Sequence, residues 1–161
     1  MPYKLLFVCL GNICRSPAAE NMMNHLLEQA GLTGQVICDS AGTSSYHIGE
    51  PPDRRMTAAA YQRGLKMQGC ARQFTKADFA EFDLILAMDR DNYADICALD
   101  PAGTYRRQVF LMCDFCTHHT VQDVPDPYYG GPNGFNQVLD ILTDACQGLL
   151  KYLVQQLPVK H

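Results

Sequence analysis

Residues 5–10 of the chain, LLFVCL, are apolar without a break and run directly into GNICRSP. A strand with one wet face alternates apolar and polar side chains, so an unbroken apolar run of this length suits a strand buried on both faces, as in a parallel sheet covered by helices. A loop follows, then a helix. Ser16 is placed to cap that helix and Pro17 fits its first turn, where no amide donor is needed. Ala18, Ala19, Glu20 and MMNHLLEQA carry it on to Gly31.

The rest of the chain repeats the alternation. A second strand is expected near 35–39, followed by an irregular loop, SAGTSSYHIGEPPD, whose Asp53 caps a helix, RRMTAAAYQR, that stops at Gly64. Thr75 and Asp78 resemble a capping box for a short helix, FDLILAM reads as a third buried strand, and a helix near 90–97 leads to a fourth strand near 109–112. After the loop DVPDPYYGGPNG comes a long helix, on which Phe135, Val138, Leu139, Leu142, Ala145, Cys146, Leu149 and Leu153 form one apolar stripe. Strands alternating with helices imply an α/β fold, a parallel sheet with right-handed crossovers and helices on both faces. With 161 residues, no repeat and no linker, a single domain spanning 1–161 is expected.

Composition excludes several function classes. The net charge is −4 and no stretch gathers enough Lys and Arg for a nucleic-acid or lipid surface, so no nucleic acid and no membrane are expected as partners. No apolar run reaches the 18 residues or more of a membrane span, and LLFVCL lacks a cleavage site for a signal peptide. A cytoplasmic protein is therefore expected. Its eight cysteines do not have the spacing of a small secreted scaffold and are expected to be reduced, with Cys38, Cys70, Cys97 and Cys146 serving as packing.

In parallel sheets of this kind, ligands bind past the carboxyl ends of the strands. Five residues, Leu10, Gly11, Asn12, Ile13 and Cys14, separate Cys9 from Arg15, and the loop ends at a helix N-terminus. Such a loop can curl around one tetrahedral dianion, its backbone amides forming a nest while the planar fork of Arg15 grips two oxygens. Cys9 at the base would feel the amides, the helix dipole and Arg15, all of which favour thiolate over thiol. Gly11 would let the backbone bend, Asn12 would take a left-handed conformation and tie the loop, and the Ser16 hydroxyl would hydrogen-bond the thiolate.

In DVPDPYYGG two prolines stiffen a loop, and a carboxyl presented over the nest could protonate a leaving oxygen and then activate water. Asp-Pro also opens ordinary turns, so the residues alone leave Asp126 between the two roles, with Asp123 as the competing carboxylate. Cys14 lies in the same small loop as Cys9 and could close a reversible disulfide with it, which would make the site redox-regulated. CDFCTHH offers two cysteines and two histidines, but adjacent histidines on so short a loop make poor tetrahedral geometry, and no metal is expected.

With VCLGNICRSP, DSAGTSSYHIGEPPD, ARQFTKADF, FDLILAMD and DPYYGG in this order, the chain resembles the low-molecular-weight protein tyrosine phosphatase family over essentially its whole length. The resemblance implies a three-layer flavodoxin-like sandwich with a four-stranded parallel sheet of order 2-1-3-4, no cofactor, and hydrolysis of phosphotyrosine and aryl phosphates through a cysteinyl-phosphate. By position it implies Cys9 as nucleophile, Arg15 as phosphate clamp, Asp126 as general acid, Asn12 and Ser16 as loop supports and Ser40 as a brace from the second strand. Tyr46, His47, Tyr128 and Tyr129 would line the substrate cleft, and a deep slot between tyrosines would admit a phenyl ring. The implied partners are tyrosine-phosphorylated proteins and inorganic phosphate or similar oxyanions, for a monomer with weak self-association at most. Alignment on ARQ puts Gly69 or Cys70 where members often carry a histidine behind the phosphate loop, which leaves the bracing of Asn12 open. The alternatives are arsenate reductase on the same fold, which relays oxidation through further cysteines that residues 72–96 lack, and a phosphate or phosphopeptide binder without turnover.

Overall fold

In the computed structural model of the chain, the described residues are 1–129, 131 and 133–157, Tyr129 by its backbone alone. Four strands, β1 (Tyr3–Cys9), β2 (Val36–Gly42), β3 (Leu84–Ala87) and β4 (Val109–Leu111), form one sheet in the order β2-β1-β3-β4. All three pairings are parallel. β1 is central: Leu5 lies opposite Cys38 on one side and Leu84 on the other, and Val8 opposite Ala41 and Ala87.

That position explains the unbroken apolar run. Leu5, Phe7 and Cys9 point into one core, shared with the helices α1 (Arg15–Gln29), α2 (Arg54–Gln62) and α5 (Gly134–Gln156). Leu6 and Val8 point into the other, against Phe79 of α3 (Ala77–Glu81) and Ile96 of α4 (Arg90–Ala98). Leu5 through Val8 have no exposed surface, so truncating any of them to alanine would cost roughly 2–5 kcal/mol. The apolar stripe of α5 is buried along its whole length, as expected.

The element boundaries depart from the sequence reading in instructive places. β1 ends at Cys9, and Leu10 turns outward onto the loop with 43% of its surface exposed. β2 runs on to Gly42 because Ser40, Ala41 and Gly42 pair with Phe7, Val8 and Cys9, so SAG belongs to the sheet and not to the following loop. Helix α1 starts at Arg15 with Cys14 in the cap position, so Ser16 is not the cap. Its hydroxyl is used elsewhere. Asp53 does cap α2, accepting the N–H groups of Arg55 and Met56, and Asp78 accepts the N–H of Thr75. Cys146 is fully buried, whereas Cys70 is exposed and does not serve as packing.

CDFCTHH folds onto α5. Met112–Phe115 form a 3-10 turn, and the buried carboxylate of Asp144 collects the N–H groups of Thr117, His118 and His119 and the His119 ring. Burial would raise the Asp144 pKa, but these donors outweigh it and hold the carboxyl far below the usual range. Gly148 permits the contact, since a Cβ there would collide with the Phe115 carbonyl. Among the described residues no three His, Cys, Asp or Glu side chains converge to hold a metal ion, and no helix is long and apolar enough to cross a membrane.

Candidate active site

The loop from Leu10 to Cys14 leaves the carboxyl end of the central strand and closes on the N-terminus of α1. Asn12 takes the left-handed conformation, with φ of +58°, and points its own amide at the sulfur. Its N–H donates to Cys9 Sγ at 3.2 Å, and Ser16 Oγ lies 3.0 Å from the same sulfur. Asn12 Nδ2 donates to Ser16 Oγ at 2.7 Å, which occupies a lone pair of the hydroxyl and leaves its proton for the sulfur or for the Ala41 carbonyl at 3.5 Å. The other end of the Asn12 amide accepts the N–H of Arg72 at 3.0 Å. Asn12 is therefore braced by a backbone group beyond Gly69 and Cys70. Gly69 itself has φ of +105°, a conformation that favours glycine.

Arg15 is buried, and its fork is fixed from behind. Nη1 donates to Asp89 Oδ2 at 2.6 Å and to the Val124 carbonyl at 2.9 Å, while Nη2 lies 3.6 Å from Asp126 Oδ2. Burial alone would lower the pKa of this guanidinium, but Cys9, Asp89 and Asp126 outweigh it and hold Arg15 above its ordinary value. Asp89 is at the same time the cap of α4, accepting the N–H of Asn92 at 2.7 Å.

Two glycines let these parts approach. A Cβ on Gly11 would stand 2.9 Å from His47 Cδ2, so Gly11 makes room for that ring and has no positive φ to support. A Cβ on Gly42 would stand 2.7 Å from the Leu10 carbonyl and 3.2 Å from Asn12 N, so β2 can lie against the loop only without a side chain there.

These residues frame a cavity of about 310 Å³. Cys9, Leu10, Gly11, Ile13, Cys14 and Arg15 form its floor, and Ser44, Tyr46, His47, Asp126 and Tyr128 its sides. His47 meets Tyr46 edge-on with ring centres 4.7 Å apart and Tyr128 at 5.9 Å, and its Nδ1 pairs with Glu50 at 2.6 Å. Asp126 Oδ1 accepts the Tyr128 N–H at 3.0 Å. Asp123 does not line the cavity: Arg90 binds it through Nε and Nη2 and holds its carboxyl below the usual range.

Most of the residues singled out from the sequence line this one cavity. Asn12 and Ser16 do not line it but hydrogen-bond at the Cys9 sulfur. Ser40 donates to Glu20 of α1 at 2.6 Å and ties β2 to that helix, and the side chain of Tyr129 lies outside the described residues. The sequence reading missed Asp89, Val124, Arg72 and Gly42. Asp89 alone left a local trace, a helix-capping aspartate just past the end of a buried strand.

Comparisons with known proteins bear on the family and the fold. The family model described as low molecular weight phosphotyrosine protein phosphatase matches residues 4–159. A protein of Synechocystis sp., assigned provisionally to the low molecular weight protein-tyrosine-phosphatases, is 61% identical over 96% of this chain and 98% of its own length. A crystal structure of a protein tyrosine phosphatase from Entamoeba histolytica, with Hepes in its active site, superposes with a TM-score of 0.92 at 49% identity, covering 96% of this chain and 98% of that one. A Drosophila arginine phosphatase superposes with a TM-score of 0.84 at 31% identity, over 93% of this chain and 97% of that one.

Proposed function

The chain belongs to the low molecular weight phosphotyrosine protein phosphatase family, and from that premise we propose that it hydrolyses phosphotyrosine in proteins through a cysteinyl-phosphate on Cys9. The observation that carries this is the convergence, in one cavity, of a sulfur aimed at by two hydrogen-bonding groups, a buried guanidinium and a carboxyl on a separate loop.

In the first step the phosphate oxygens take the loop amides and Arg15, and the Cys9 sulfur attacks phosphorus as the bond to the phenolic oxygen breaks. Asp126 gives its proton to that oxygen. In the second step Asp126 takes a proton from water, the water oxygen attacks phosphorus, and the sulfur leaves as a thiolate to which Ser16 donates. Inorganic phosphate is released from the nest.

The fold also serves an arginine phosphatase, so fold alone does not select the leaving group. The aromatic rings of Tyr46, His47 and Tyr128 around the opening favour a flat phenyl ring. Cys14 is buried at 4% exposure, and burial first, then Asp53, Cys9 and Asp126, push its thiol well above the ordinary value. It rests as a thiol. In the redox role proposed for it, peroxide converts Cys9 to a sulfenic acid and releases water, and Cys14 displaces a second water to close a disulfide. Incubation with p-nitrophenyl phosphate, phosphotyrosine, phosphoarginine, and arsenate with a thiol donor tests the reading. Turnover of the first two supports it; phosphoarginine or arsenate alone as substrate, or binding without turnover, would refute it.

A further inference from the structure

We propose that Arg55, on the outer surface of α2, is a positioning residue for Asp126 that fixes the acid loop in register with the phosphate loop. The proposal rests on the assignment of Asp126 as the general acid. Nothing in the sequence around Arg55 suggests such a part, and its side chain is 49% exposed.

The bridge can be followed bond by bond. At one end, the Asp53 N–H donates to the carbonyl of Ile13 at 2.8 Å, so the cap of α2 holds the phosphate loop directly. The Asp53 carboxylate then holds Arg55: Oδ1 takes Nε at 3.3 Å and Oδ2 takes Nη2 at 3.1 Å. The third nitrogen, Nη1, donates to the carbonyl of Tyr128 at 3.3 Å. The guanidinium plane also lies over two rings, 5.1 Å from the centre of Tyr128 and 4.9 Å from that of Phe135. Tyr128 in turn gives its N–H to Asp126 Oδ1 at 3.0 Å. Arg55 therefore grips Tyr128 by carbonyl and ring, and the same residue's amide orients the carboxyl that faces Arg15.

Only an arginine supplies this connection. The planar fork reaches two partners on different loops and stacks on aromatic faces, whereas an ammonium is a point charge on a flexible stem. Exposed ion pairs contribute little to folding. Displacing a proton donor by about 1 Å, by contrast, can cost ~10²-fold in rate. The bridge should accordingly matter for chemistry far more than for stability, which separates a positioning role from a structural one.

Arg55→Met and Arg55→Lys, each alone and with Asp126→Asn, test this in the full chain. The first-step rate is measured on phosphotyrosine and on p-nitrophenyl phosphate, together with the inhibition constant for inorganic phosphate and the melting temperature. Arg55→Met should slow the first step on phosphotyrosine roughly 10–100-fold and on p-nitrophenyl phosphate only about threefold, since the better leaving group needs the proton less. Phosphate inhibition should stay unchanged because the nest and Arg15 are intact. Added to Asp126→Asn, the substitution should cost almost nothing more, because a displaced donor and a missing donor are the same loss. Arg55→Lys should recover part of the rate.

Equal losses on the two substrates, losses that multiply in the double variant, weakened phosphate inhibition or full recovery by lysine would each overturn the proposal. A wild-type protein inactive on both aryl phosphates would instead defeat the phosphatase reading itself, a distinct outcome from an active enzyme indifferent to Arg55.

Discussion

Cys9, Asn12, Arg15 and Ser16 are each at most 3% exposed, whereas the carboxyl of Asp126, across the same cavity, is 32% exposed. The phosphate loop is held by bonds that span the chain: Arg72 to Asn12, Asp53 to Ile13, Thr43 to Cys9 and Ser44 to Leu10. The acid loop is tied at intervals, by Arg90 on Asp123, Met88 on Val124 and Arg55 on Tyr128. A nest for a dianion gains from rigidity, because amides that need not reorganise stabilise charge at no further cost. In the role proposed for Asp126, a proton donor must admit a ring beneath it and then serve water, so openness would suit it. Perturbing the nest should depress all substrates alike, and perturbing the acid loop should depress poor leaving groups selectively.

The largest effect should come from Arg15→Lys. Nη1 of Arg15 already serves Asp89 and Val124, and an ammonium cannot do this and still clamp phosphate. A loss on the order of 10³-fold in kcat/KM is expected, equal for phosphotyrosine and p-nitrophenyl phosphate. Near-normal steady-state kinetics would remove the buried fork from the account. Asp126→Asn comes next, with a first-step loss of ~10²–10⁴-fold on phosphotyrosine and a much smaller one on p-nitrophenyl phosphate. If stopped-flow traces gave equal losses, the two loops would not divide the chemistry, and Asp123 would be the next carboxylate to test. Gly42→Ala should have the smallest effect. The new Cβ would press on the Leu10 carbonyl, lowering stability by about 1–3 kcal/mol and turnover on both substrates by one common factor. A substrate-dependent factor, read beside the denaturation midpoint, would show that the nest and the acid loop are coupled more tightly than their exposures imply.

The same contrast governs what the sequence could reveal. β1 and α1 were legible because an unbroken apolar run and a Pro-Ala helix start are local signals, and Cys9, Asn12 and Arg15 lie within seven residues of one another. The partners that make them a site lie far along the chain. Arg72 is 60 residues from Asn12, Asp89 74 from Arg15 and the Val124 carbonyl 109 from it, distances no periodicity reports. Ser16 shows how a local rule loses: a serine before a proline has the form of a helix cap, but the sulfur of Cys9 and the Asn12 amide claim its hydroxyl and the helix starts two residues earlier, at Arg15. The end of β2 was hidden for a related reason, since SAG carries no strand propensity and is drawn into the sheet by pairing with Phe7, Val8 and Cys9.

The most direct test of the central claim, a cysteinyl-phosphate formed on Cys9 in the nest, is to mix enzyme with excess p-nitrophenyl phosphate, follow the first turnover, quench it with acid and map the phosphoryl group by mass spectrometry. A burst of nitrophenol matching the enzyme concentration, with phosphate on Cys9 and none in Cys9→Ser, is the predicted result. Turnover with no burst and no phosphoenzyme, or phosphate carried by any other residue, would contradict it.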